Sequence, residues 1–74
     1  MPREHASSAA ERFVQERLRC CYSVREAARL STIAASTIHA YEKGKVEPQA
    51  GHQVRMLASL YRVSPLYLLT GEDI

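Results

Sequence analysis

The chain is poor in the residues that staple or break a fold: its 74 positions hold no tryptophan, two cysteines, three glycines and three prolines. Cys20 and Cys21 are neighbours, so they cannot build the disulfide framework of a small secreted domain; they read as small apolar residues suited to a reducing compartment. Together with three scattered histidines they do not supply four zinc ligands at workable spacing, and no metal or cofactor is expected. The scarcity of glycine and proline, beside 46% hydrophobic and 24% charged residues, argues against disorder and for a folded unit. Apolar runs such as Leu66 to Leu69 fall far short of the roughly 20 residues of a membrane span. Residues 1–10 are polar and lack the apolar core of a secretory signal, so a cytoplasmic location is expected. No nucleophile with a neighbouring base, no glycine-rich phosphate loop and no suitably spaced carboxylate pair stands out, and an enzyme is not expected.

What is present is enough for one small domain, with residues 1–7 expected as a flexible arm. A chain this short buries only about 60% of the surface its unfolded form exposes, so it is expected to be marginally stable and to lean on a second copy. The net charge is only +2, but it is unevenly spread. Between Arg12 and Lys45 stand seven basic residues (Arg12, Arg17, Arg19, Arg25, Arg29, Lys43, Lys45) and three acidic ones (Glu16, Glu26, Glu42). A positive segment with acidic flanks fits either an anionic partner such as nucleic acid or simply a solvated face.

Helix signals run the length of the chain. Ser8 precedes Glu11 by three residues and Ser23 precedes Glu26 by three, the spacing at which hydroxyl and carboxylate cap a helix start reciprocally. Ala10, Phe13, Val14, Leu18 and Cys21 then form one stripe of a first helix over about 8–20. A short second helix covers Val24 to Ser31. A third runs from about Ala35 to Gly44, with Ile38 and Tyr41 inward, Lys43 at its negative end and glycine as its stop. Pro48 and Gly51 mark a loop, and Val54, Leu57, Ala58 and Tyr61 restore helical spacing. Ser64-Pro65 opens a last short helix that Gly71 ends. No strand pattern or repeat is found, so the fold class is all-α: a compact five-helix domain.

The second and third helices are joined by only three or four residues, within 23–44. Two helices crossing steeply need a small residue where they approach, a role Ala28 can fill, with Ile33 in the turn. This is helix-turn-helix spacing. Arg17, Ser23, Glu26, Ala28, Ile33, Thr37-Ile38, Tyr41-Glu42-Lys43-Gly44, Pro48, Ala58, Val63-Ser64 and Leu68-Leu69-Thr70-Gly71 occur in an order that resembles the Cro-like, lambdoid phage-repressor-like family of helix-turn-helix DNA-binding domains. The resemblance covers Phe13 to Gly71. Three positions depart from the family pattern: Val24 replaces a phosphate-touching glutamine, Ala34 replaces a capping hydroxyl, and Thr32 replaces the turn glycine. The loop after Pro48 is also one residue longer. A β-branched residue at positive φ is disfavoured, so the turn at Thr32 is expected to take another shape.

The resemblance implies a dimeric, sequence-specific repressor on a palindromic operator of double-stranded DNA, nucleoid-associated when bound. Ala35, Ser36 and Ala40 would face base edges, with Thr37 near phosphate. His39 would reach base or phosphate, and Val24, Arg25, Lys43 and Lys45 would lie along the DNA backbone. Arg3 and His5 could serve as an arm. Arg17 and Glu42 would pair as a structural link between helices one and three. Gln49, Ala50, Leu66 and Tyr67 would form the dimer surface. Gly71 is where such domains end, which fits a whole Cro-like protein or the front of a longer repressor. The apolar Val24, Ala34 and Ala35 favour an alternative, an antitoxin or co-regulator that uses the same fold to grip a protein partner.

Overall fold

The computed structural model describes residues 8–72; the arm residues Arg3 and His5 lie outside them. Both serine-glutamate pairs close. Ser8 Oγ accepts the Glu11 N–H at 3.1 Å while Glu11 Oε1 accepts the Ser8 N–H at 3.2 Å, which starts α1 (Ala9–Arg19). Ser23 and Glu26 repeat the exchange at 3.0 and 2.9 Å to start α2 (Val24–Ser31). The backbone of Thr32 to Ala34 then leads into α3 (Ala35–Glu42), whose cap residue Ala34 makes no side-chain bond. After a loop, α4 (His52–Tyr61) begins behind Gly51, and α5 (Pro65–Thr70) begins with Ser64 Oγ accepting the Tyr67 N–H at 3.0 Å. Among the described residues there is no strand, and no helix is long and apolar enough to cross a membrane.

The helices surround one core. Phe13 of α1 stacks on Tyr41 of α3 with ring centroids 5.1 Å apart, and Ile38, Leu57, Tyr61 and Leu68 fill the space beside them. α3 packs against α1 and α2, while α5 returns to α1 and α4. The molecule measures 28 × 23 × 21 Å.

Three expectations change here. The inner side of α1 keeps only part of the apolar stripe: Phe13 is buried and Ala10 and Val14 are half-buried, but Leu18 is 57% exposed and Cys21 is exposed beyond the helix end, and Arg12 and Glu16 are buried beside Phe13. Polar side chains can take core positions when their donors and acceptors are met, and these are. Arg12 Nε and Nη2 donate to the carbonyls of Leu68 and Leu69 at 3.2 and 3.0 Å, and Arg19 Nε donates to Glu16 Oε1 at 2.6 Å. Secondly, the fully buried alanine of α2 is Ala27; Ala28 is half-buried against the core. Thirdly, Thr32 does adopt the left-handed conformation, at φ 63° and ψ 17°.

Thr32 is not alone in this. Cys21, Gly44, Arg62 and Gly71 also have φ between 62° and 84°, so every helix is followed by a left-handed residue. Only two of these residues are glycines. The backbone bonds explain the tolerance at two of the others. Tyr22 and Cys21 donate back to Arg17 and Leu18, and Val63 and Arg62 to Ala58 and Ser59, satisfying carbonyls that a helix end otherwise leaves bare.

Candidate nucleic-acid interface

The orientation of α3 is fixed from one side. Ile38 and Tyr41 are buried, and the Tyr41 hydroxyl donates to Gln53 Oε1 at 3.0 Å. Glu42 accepts two parallel bonds from Arg17, at 2.7 Å from Nε and 3.1 Å from Nη2, and Arg17 Nη1 also donates to the Tyr22 carbonyl at 2.8 Å. The two side chains are 13% and 6% exposed. This two-point contact ties α1 to α3 and to the start of α2, and the Glu42 bond holds the Arg17 guanidinium more firmly protonated despite its burial.

With that side locked, the opposite side of α3 faces outward. Ala34, Ala35, Ser36 and His39 are exposed, and Thr37 and Ala40 are half-buried. The helix ends by a tight turn through Gly44 at φ 72°: the Gly44 N–H donates to the Tyr41 carbonyl at 3.2 Å and the Lys45 N–H to the Ala40 carbonyl at 3.0 Å. The turn folds Lys45 back beside Ala40. Ser36, His39, Ala40, Lys43 and Lys45 thereby line one depression of about 340 Å³ with no carboxylate in its wall.

The positive segment divides in two. Arg12 is spent on the α5 carbonyls, Arg17 on Glu42, and Arg19 on Glu16 and the Tyr61 carbonyl. The Glu16 bond, outweighing burial, holds Arg19 protonated as well. Arg25, Arg29, Lys43 and Lys45 remain exposed, and of the three acids in this stretch Glu16 and Glu42 are taken by arginines while Glu26 caps α2. What looks like a diffuse excess in the sequence is a set of solvent-facing cations.

The other expected site residues are dispersed. Val24 is half-buried against the core, so only part of it faces out, whereas Arg25 beside it is exposed. Gln49 and Ala50 are exposed, as is Leu66 at 37%. Tyr67 is a correction: it is 2% exposed and belongs to the core, because it follows Leu66 on a helix whose inner face is Tyr67 and Leu68. It is not available to a second copy. Ser36, His39 and Ala40 are expected together on the outward side of the third helix with Lys43 and Lys45 after it, as positions 36, 39, 40 and 43 share one helix face; the depression they line depends on the Gly44 turn that returns Lys45 to Ala40. Among the described residues no three His, Cys, Asp or Glu side chains cluster to hold a metal ion. Compared with protein-family models, curated proteins and solved structures, the chain matches none.

Proposed function

We propose that the chain is a sequence-specific DNA-binding regulator, a repressor that uses α2 and α3 as a helix-turn-helix and binds a palindromic operator as a homodimer. The observation that carries this reading is the asymmetry of α3. One side is held to α1 by Arg17 and Glu42, and the other presents small or cationic side chains with no acid among them. Small residues such as Ala35 and Ser36 permit close approach to a major groove, and alanine can meet a thymine methyl. Arg25, Arg29, Lys43 and Lys45 supply the sequence-independent grip on phosphate.

The test is a gel shift with duplex DNA taken from immediately upstream of the gene, repeated over a range of salt. A dimer that neutralises about six phosphates gives a slope of log affinity on log salt near −5. A flat salt response, or no preference for the upstream DNA over random duplex, overturns the reading. In that event the apolar Val24, Ala34 and Ala35 direct attention to a protein partner, as in an antitoxin or co-regulator.

A further inference from the structure

The wall of the depression on α3 is mostly carbon, although both of its neighbours at the helix end are lysines. Ala40, half-buried, stands between Ser36 and Lys43 along the helix, and the Gly44 turn returns Lys45 to it. An alanine methyl beside lysine stems gives such a wall, because the ammonium tips stay in water. No carboxylate lines it, and Glu42, the one acid of α3, is held by Arg17 of α1. A surface without acids fits a polyanion, whereas an apolar floor fits the carbon edge of a base better than a phosphate. Of the groups that base pairs show in the major groove, the apolar one is the methyl on C5 of thymine. The polar part of the wall is a weak substitute for it in telling bases apart. Reading the cytosine amino group takes a dedicated acceptor such as a carboxylate, and none is there. The Ser36 hydroxyl both donates and accepts, so it meets a carbonyl or an amino group equally.

From this we infer that the floor at Ala40 reads the methyl group on C5 of a pyrimidine, and that it takes 5-methylcytosine as readily as thymine. The inference rests on the DNA-binding reading and adds to it the chemical group that is read. Thymine and 5-methylcytosine carry their methyl at the same ring position, and therefore at the same place in the major groove. They differ in the oxygen or amino group next to it, which the wall of the depression does not tell apart. Binding thereby responds to whether a cytosine in the site is methylated. A methyl taken out of water against carbon contributes about fourfold in affinity. One such contact in each half-site of a palindrome contributes about fifteenfold.

Footprinting of the full chain on upstream duplex DNA first locates the bound site. Synthetic duplexes of that site then carry thymine, uracil, cytosine or 5-methylcytosine at each pyrimidine position in turn, changed in both half-sites, with the matching purine opposite. At the position that meets Ala40, the wild type should bind thymine about fifteenfold more tightly than uracil, and 5-methylcytosine more tightly than cytosine by a similar factor. Ala40→Ser, which puts a hydroxyl on the floor, should lose both preferences there, with a melting curve to confirm that it is folded. Should that variant not fold, the duplexes decide the matter with the wild type alone. Uracil bound as tightly as thymine at every position overturns the inference and leaves the DNA-binding reading standing. So does cytosine bound as tightly as its methylated form where thymine exceeds uracil. Both preferences surviving intact in a folded Ala40→Ser place the reader elsewhere and overturn the assignment to this depression. No duplex binding under any condition overturns both readings.

Discussion

Arg12 and Gly71 shape each other: a Cβ added at Gly71 would lie 3.1 Å from Arg12 Nη1, and Gly71 itself sits at φ 84°. The guanidinium lies over the end of α5, and a side chain at position 71 would make it give by a few tenths of an ångström while it holds the Leu68 and Leu69 carbonyls. Gly71→Ala therefore meets both a conformational cost of about 1–2 kcal/mol and a crowded arginine. Gly44→Ala meets the first alone, since its nearest neighbour would be Ala10 Cβ at 3.9 Å. Thermal melts should rank Gly71→Ala clearly below Gly44→Ala; equal melting temperatures would show that Arg12 does not depend on the gap.

The bidentate Arg17 and Glu42 contact is buried on both sides, so removing one partner strands the other charge. Arg17→Ala and Glu42→Ala should each cost about 3 kcal/mol. The double variant should cost much less than the sum, and chemical denaturation of all four proteins gives the coupling directly. Additive losses would mean that the two side chains act independently.

Tyr61 is fully buried, and among the described residues its hydroxyl has no hydrogen-bond partner. Burial, reinforced by the Glu42 charge, pushes the phenol far above its ordinary ionisation range, so it stays neutral. Tyr61→Phe removes an unsatisfied polar atom without changing the ring that packs the core. It should raise stability by about 1 kcal/mol, which for a domain of this size is a few degrees in Tm. A lower Tm would mean that the hydroxyl is in fact satisfied.

Leu66 and Tyr67 are adjacent but should respond oppositely to change. Leu66→Glu places a charge on an exposed position and should give a folded monomer with weaker DNA binding, whereas Tyr67→Ala opens the core and should cost about 3–5 kcal/mol. Light scattering at low concentration and a melt distinguish the two. A Leu66→Glu variant with unchanged dimer mass would move the interface elsewhere.

Sequence made the helix starts legible because they depend on contacts three residues apart: Ser8 with Glu11, Ser23 with Glu26, Ser64 with Tyr67. It misjudged what depends on distant partners. Arg12 looks like a surface cation until α5 supplies its two carbonyls, and Leu18 looks like core until Phe13, Arg12 and Glu16 have taken the inner side. Thr32 is the sharper case. Local preference opposes positive φ there, but Ile33 is buried and its N–H donates to the buried Ser31 Oγ at 3.2 Å, so packing on both sides of the turn decides its shape. The outward face of α3 was readable because small and basic residues recur at helical spacing. The depression was not, because Lys45 reaches it only through the backbone turn at Gly44.

The bond from Arg12 to the Leu68 carbonyl joins residues 56 positions apart. During synthesis α1 can coil as soon as it is made, and Phe13 can meet Tyr41 once α3 follows, yet the Arg12 guanidinium has no carbonyl partners until α5 has left the ribosome. The buried arginine is thus satisfied only by the latest-made helix of the described residues. A ribosome that stalls before α5 would release a product whose Arg12, set beside Phe13 on the inner side of α1, has no carbonyls to meet, a mark by which quality control could tell the fragment from the finished fold.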